Sequence, residues 1–318
     1  MRGQNALIDA AILPVIATKC VLKMGDRDNF LIQKLIFREK IIDGIREFFK
    51  KRDFHEMFTP TLVPIPSCEP NLEPFKTELI TASGKKEDRY LIMSPEFSLK
   101  KTMALGFENI FEIAKVFRNG EELSSWHKPE FMMLEWYRKN SDYIQIMNDF
   151  EELFGYLNGS ERMKYQGEDY DLTRPWPRYT VEELFGGKIP ENEQDFFQKF
   201  LNEIEPKLRE SRKPAIVYDW PVEMASLARV KKDNPKYAER FEVYLAGVEL
   251  GNAFSELTDP VEQRKRFEEE ILLRKKIGKS VYSIDEELLG ALGKVDNMAG
   301  IAVGVDRLIM LLADSEEI

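Results

Sequence analysis

Residues 110–138 read IFEIAKVFRNGEELSSWHKPEFMMLEWYR. The first nine are rich in β-branched and aromatic side chains, residues 119–129 are polar and end on Pro129, and residues 130–138 resume the strand-like pattern. That order predicts two strands joined by a long loop. A period of two puts Phe131, Met133, Glu135 and Tyr137 on one face of the second strand and Met132, Leu134, Trp136 and Arg138 on the other. Glu135 and Tyr137 therefore project side by side. A carboxylate and a phenol so placed can hold a ligand ammonium, or can serve a salt bridge beneath a mixed sheet face, and spacing alone leaves both open. Arg118, at the base of the loop, is placed either to clamp a phosphate bidentately or to be a surface charge at a strand end.

Outward from this hairpin, residues 240–250 predict a second one, with Ala246 and Gly247 supplying the turn. A turn centred on Leu245 and Ala246 sets Glu242 directly opposite Glu249, which is unfavourable unless compensated. Either the two share a Mg²⁺, an ion that prefers hard oxygen ligands, or they are solvated glutamates on an edge strand. Glu256 adds a third carboxylate seven residues beyond Glu249, after Gly251 and Asn252, where glycine permits close approach. Residues 300–304 are small and apolar and open into a helix at 306–312 that begins with Asp306 and Arg307. Such a helix start suits a phosphate, and small residues equally suit tight helix packing.

The remaining punctuation is helical and extended. Residues 31–52 have amphipathic helical spacing. Pro60, Pro64, Pro66 and Pro70 impose an extended segment after it. Residues 94–105 predict a helix capped by Ser94, residues 176–212 helical and turn-rich pieces, and residues 260–278 a charged helix stopping at Gly278. Antiparallel hairpins with interspersed helices predict an α+β fold rather than alternating βαβ units.

Composition bounds the function class. The chain has 318 residues, with 46 Lys and Arg against 56 Asp and Glu, a formal charge of −10. The acidic balance disfavours a protein that coats nucleic acid. The longest apolar candidate, residues 6–17, is interrupted by Asp9 and Pro14 and falls short of the ~18 residues a membrane span requires. Cys20 and Cys68 form neither a disulfide framework nor a metal pair, which fits a cytoplasmic protein with reduced thiols. Residues 1–30 are expected to be a poorly ordered leader before a catalytic domain at 31–318.

Taken together, Phe117-Arg118-Asn119 with His127, Pro129, Glu130, Phe131 and Glu135, and Gly304-Val305-Asp306-Arg307, resemble motifs 2 and 3 of class II aminoacyl-tRNA synthetases. Ser94-Pro95-Glu96 and residues 249–259, ELGNAFSELTD, narrow the likeness to the lysyl-tRNA synthetase branch. It covers nearly the whole chain, from about residue 31 to 312. Only about thirty residues precede the first helix, so no anticodon-binding OB domain is expected. The chain instead resembles the short lysyl-tRNA synthetase paralogues that attach (R)-β-lysine to elongation factor P. Ala302 stands where lysyl-tRNA synthetases usually carry glycine and where the paralogues carry alanine.

The resemblance implies a class II synthetase-like catalytic domain, a central antiparallel sheet flanked by helices, working as an ATP-dependent ligase with Mg²⁺. It implies that Arg118 and Arg307 hold the ATP phosphates, and that Asn119, Glu121, Lys128, Glu249, Leu250 and Gly304 complete the nucleotide site. Glu242 and Glu249 would bind Mg²⁺. Glu135, Tyr137 and Glu256 would receive the substrate's ε-ammonium, Glu96 its second amino group, and Asn252 its carboxylate, with Ser94 and Ala302 shaping the pocket. A homodimer built on the helix and strand around residues 35–60 is implied, and tRNA is disfavoured as a partner. This sequence departs from the pattern in a motif 2 loop one residue longer than usual, in Lys128 for a common asparagine, and in Ala253 for a frequent glycine beside the proposed site. The alternatives are a freestanding lysine-activating ligase and an inactive binding module. The inactive module is opposed by the presence of Arg118, Glu249 and Arg307.

Overall fold

A computed structural model describes residues 27–122 and 124–317 of the chain. Residues 1–26 of the expected leader, with Cys20, lie outside the described residues, and the first helix already begins at Arg27. In chain order come α1 (Arg27–Lys50), β1 (His55–Glu56), β2 (Leu62–Val63), β3 (Lys76–Ile80), β4 (Lys86–Leu91), α2 (Glu96–Met103), β5 (Asn109–Phe117) and β6 (Glu130–Lys139). There follow α3 (Tyr143–Asn158), β7 (Arg162–Tyr165), β8 (Glu168–Asp171), β9 (Arg178–Thr180), α4 (Val181–Leu184), α5 (Glu193–Lys199), α6 (Glu205–Glu210) and β10 (Ala215–Pro221). The chain closes with β11 (Tyr237–Leu245), β12 (Val248–Ser255), α7 (Pro260–Lys276), α8 (Glu286–Leu292), β13 (Met298–Gly304) and α9 (Val305–Leu312).

Eight strands form one sheet in the order β1-β5-β6-β13-β12-β11-β10-β9. The six central strands pair antiparallel, as expected, and the short edge strands β1 and β9 pair parallel to their neighbours. Alternation along β6 divides the layers. Leu134 and Trp136 point into a core built with Ile45 and Phe49 of α1 and Phe150 of α3, whereas Met133, Glu135 and Tyr137 face α2 and the cavity described below. Arg138 leans back over the first layer and donates to Asp149 of α3 at 2.6 Å.

Several elements escaped the sequence reading, α3 and β10 among them. Helix α3 buries Ile146, Met147, Phe150, Leu153, Phe154 and Leu157, a helical repeat, between an Asp142 cap and left-handed Gly159. Strand β10 extends the sheet beyond the second hairpin. Ser94 is not the helix cap. Pro95 holds that position without a side-chain bond, and the Ser94 hydroxyl accepts from the Glu96 amide at 3.2 Å.

The turn of the second hairpin is Ala246-Gly247, both at positive φ, with a bulge that leaves Leu250 unpaired. The bulge changes the expected register: Glu242 lies opposite Asn252, and Glu249 opposite Tyr244. Ala253 is another correction. It is fully buried, pairs with Phe241 and Ile301, and packs in the core on the face away from the cavity, so its methyl does not reach the site.

Candidate active site

Across the middle of the sheet one row of paired residues runs Glu135, Ala302, Asn252, Glu242, from β6 through β13 and β12 to β11. Residues directly paired across strands share a face, so four side chains drawn from distant parts of the sequence are aligned by register. Above the row lies a cavity of about 710 Å³. Ser94, Glu96, Glu135, Asn252 and Ala302 line its inner end, and Arg118, Glu121, Lys128, Glu249, Leu250, Gly304 and Arg307 also border it.

Other predicted site residues sit elsewhere. Tyr137 and Glu256 are buried behind the lining, and Glu242 is 6% exposed beside it. Asn119 turns back to pair with Glu73, its amide donating to the Glu73 carbonyl at 2.8 Å.

The inner end is a buried charge cluster. The Tyr137 hydroxyl donates to Glu135 Oε2 at 3.0 Å, and no hydrogen-bond partner for buried Glu135 Oε1 is present among the described residues. Lys100, which the sequence reading passed over, sends its ammonium 2.6 Å from Glu96 Oε1 and 2.5 Å from Glu256 Oε2. An i,i+4 Glu–Lys pair on a short helix reads as a surface pair, which is why it carried no signal. Burial opposes charge on Lys100, but Glu256 and Glu96 outweigh it and hold the ammonium well above its ordinary range. Burial first, then repulsion from Glu96, raises the Glu135 carboxyl. Burial also lifts Glu256 to about 8, with Lys100 pulling down and Glu96 pushing up. Three carboxylates face one ammonium, so the fully ionised cluster carries a net charge of −2.

Outside this cluster the cavity is cationic at three points. Arg118 lies 5.3 Å over the Phe131 ring and 3.9 Å from Glu121 Oε1, and among the described residues its buried Nε has no partner. Arg307 donates to the Glu249 carbonyl at 2.9 Å and lies 3.0 Å from His127 Nε2, a contact that fastens the loop of the first hairpin to the start of α9. Lys128 borders the same region. Asp306 secures this corner by accepting from Arg38 of α1 at 2.5 Å and from the Met132 amide at 2.6 Å.

Glu242 accepts from Arg240 at 2.5 Å and from the Tyr244 hydroxyl. Burial and the nearby Glu249 raise its carboxyl to about 7 against the pull of Arg240. Among the described residues no three His, Cys, Asp or Glu are grouped to hold a metal on their own.

The family described as tRNA synthetases class II (D, K and N) matches residues 15–318. The chain belongs to this class II family. Its members are ATP-dependent aminoacyl ligases, and the mainly antiparallel sheet flanked by helices is the fold of their catalytic domain. Among curated relatives, an elongation factor P–(R)-β-lysine ligase of Avibacterium paragallinarum is 37% identical over 301 residues, 90% of this chain and 93% of the relative. Another of that name, from Mannheimia succiniciproducens, is 37% identical over 302 residues with the same coverage. A lysine–tRNA ligase of Moorella thermoacetica is 36% identical over 316 residues, but the match spans 63% of that protein.

Proposed function

We propose that the chain activates (R)-β-lysine as its adenylate and transfers it to a lysine side chain of elongation factor P. The observation that carries this reading is the inner charge cluster. With its carboxylates ionised, as a diammonium ligand favours, the cluster's net charge of −2 beside Asn252 complements an amino acid with two ammonium groups and one carboxylate. Glu135 offers its unpartnered Oε1 to one ammonium and Glu96 faces the other, while Tyr137, Lys100 and Glu256 hold these carboxylates from behind. Ala302 stands between Glu135 and Asn252, so its methyl bears on the carbon chain joining the ammonium to the carboxylate. One methyl in such a place discriminates substrates by about 1–3 kcal/mol. Relatives of matching length bear the β-lysine ligase name, which supports the same reading.

In the proposed first step the substrate carboxylate, oriented by Asn252, attacks the α-phosphorus of ATP, and pyrophosphate leaves. Arg118 and Arg307 offset the developing negative charge. Glu249, which lines the cavity, and Glu242, which accepts from Arg240 and Tyr244 beside it, would hold Mg²⁺, because this ion takes one or two carboxylates together with substrate phosphates. When bound, the ion supplies charge neutralisation of the phosphates. Glu121 and Lys128 of the motif 2 loop are proposed to meet the nucleotide.

The test is amino-acid-dependent exchange of pyrophosphate into ATP with (R)-β-lysine, (S)-β-lysine and L-α-lysine, followed by intact mass of elongation factor P. Preference for (R)-β-lysine and a matching mass increase are expected. A preference for L-α-lysine would replace this reading with a freestanding lysine-activating ligase, the alternative favoured by the Moorella relative. We propose also that the chain is a homodimer, supported by the apolar residues Leu31, Ile32 and Leu35 exposed on α1.

A further inference from the structure

A second cavity of about 480 Å³ opens beside the first, and Glu69, Asn71, Leu227, Asn252 and Phe254 line both. Asn252, the residue proposed to orient the reacting carboxylate, thus belongs to a wall common to the two. The second cavity is acidic, bordered by Glu69, Glu193, Glu223, Glu262, Glu269 and Glu270. Its two arginines are committed to the protein itself. Arg266 bonds Glu262 and the carbonyls of Ala225 and Ala228, and Arg240 bonds Glu242, Asn252 and the Met224 carbonyl. Among the described residues Glu69, Glu223 and Glu270 have no cationic partner within ion-pair distance, and no hydrogen bond reaches the Glu69 carboxylate.

We propose that this second cavity is the entry and binding site for the acceptor, a primary ammonium on an extended alkyl chain, and that Glu69 positions and deprotonates it. The proposal rests on the reading that the chain forms an aminoacyl adenylate in the first cavity. It adds where the second substrate arrives. Glu223 and Glu269, exposed at the rim, attract the cation. Glu270, which accepts from the Cys68 thiol at 3.3 Å, and Glu69 receive it further in. Burial, with Glu270 and Glu96 adding, lifts the Glu69 carboxyl to about 7, a range in which it can accept a proton from an ammonium at neutral pH.

The step balances within the substrates and Glu69. The ammonium gives one proton to Glu69, and the freed amine nitrogen bonds to the adenylate carbonyl carbon. The bond from that carbon to the phosphate oxygen breaks with its electron pair leaving on AMP, and the nitrogen loses a second proton to solvent.

The test compares the unmutated chain, Glu69→Gln and the rim double variant Glu223→Lys/Glu269→Lys, each with (R)-β-lysine, ATP and Mg²⁺. Three readouts are taken: pyrophosphate exchange, trapping of the adenylate by hydroxylamine, and amide formation on elongation factor P and on Nα-acetyl-lysine methylamide. Hydroxylamine is small and uncharged at neutral pH, so it needs no cation site. The rim variant is expected to keep exchange and trapping while kcat/KM for both lysine acceptors falls about tenfold or more, as loss of charge steering does. Glu69→Gln is expected to lower kcat for the lysine acceptors and spare hydroxylamine trapping. Unchanged transfer in both variants overturns the proposal, as does transfer falling only in step with exchange. If the unmutated chain traps hydroxylamine but aminoacylates neither lysine acceptor, the acceptor site is refuted while adenylate formation stands. Absence of exchange in the unmutated chain would instead refute the underlying adenylate reading, and the acceptor site with it.

Discussion

Lys100 Nζ lies 2.5 Å from Glu256 Oε2, each side chain being 1% exposed. The same ammonium lies 2.6 Å from Glu96. A buried cation held by two carboxylates organises the inner end of the cavity before any substrate enters it. Removing one partner of a buried pair leaves uncompensated charge and typically costs about 3–5 kcal/mol. Lys100→Met is therefore expected to lower the urea midpoint and to raise the KM for the amino acid more than that for ATP. Lys100→Arg should recover part of both. A Lys100→Met variant with the parent's urea midpoint and KM values would show that the pair contributes nothing.

The same cluster makes the ligand-free protein sensitive to pH. Glu256 is raised from its ordinary 4.5 to about 8, by burial first, and Glu135 is raised in the same direction. Because the folded protein favours their protonated forms, the associated stability is complete below the unfolded value and is lost as pH rises through the folded one. Thermal stability of the ligand-free chain should fall as pH rises from about 4.5 to about 8 and level off above that, and Glu256→Gln should flatten the fall. A diammonium ligand favours the ionised carboxylates, so binding should release protons. Calorimetry in buffers of different ionisation enthalpy would measure the release, and equal apparent enthalpies in all buffers would rule it out.

The sheet and its chemistry were legible to different degrees. The two hairpins and the strand entering α9 announced themselves through alternation and turn residues, and the resemblance of their motifs placed Arg118, Glu135, Asn252 and Arg307 at one cavity. What sequence spacing did not show was register. One bulge at Leu250 takes Glu249 out of register with Glu242 and sets Asn252 opposite Glu242 instead. Lys100 was hidden for another reason, since its importance comes from Glu256, distant in sequence. Helix α3 had a readable pattern, with Asp142 and Gly159 as its ends.

Gly300 explains how Tyr137 reaches Glu135. The two residues pair across β13 and β6, and a Cβ on Gly300 would lie 2.4 Å from the Tyr137 ring. Glycine is required here by close approach rather than by backbone angle. Gly300→Ala should displace the ring, deprive Glu135 Oε2 of its donor, and weaken amino-acid binding by about tenfold, the worth of one hydrogen bond to a charged group. Tyr137→Phe should produce a comparable loss without the steric strain. A Gly300→Ala enzyme with unchanged amino-acid KM would mean that the ring finds room elsewhere.

Helix α1 buries only part of its apolar surface. Ile41, Ile45, Phe48 and Phe49 are at most 1% exposed, but Leu31, Ile32 and Leu35 toward its start are 56%, 52% and 58% exposed. Leu35 lies one turn beyond the adjacent Leu31 and Ile32, so the three form one apolar patch, whose exposure is unfavourable for a monomer. Arg38, one turn further on, ties the helix through Asp306 to the start of α9, next to Arg307. Covering the patch with a second copy would therefore brace the phosphate end of the cavity as well. Ile32→Glu with Leu35→Glu is expected to convert a dimer into monomers in sedimentation equilibrium and to lower exchange activity through the ATP KM. A parent chain that sediments as a monomer at all concentrations would refute the proposed dimer, and a fully active monomeric variant would refute the coupling to the site.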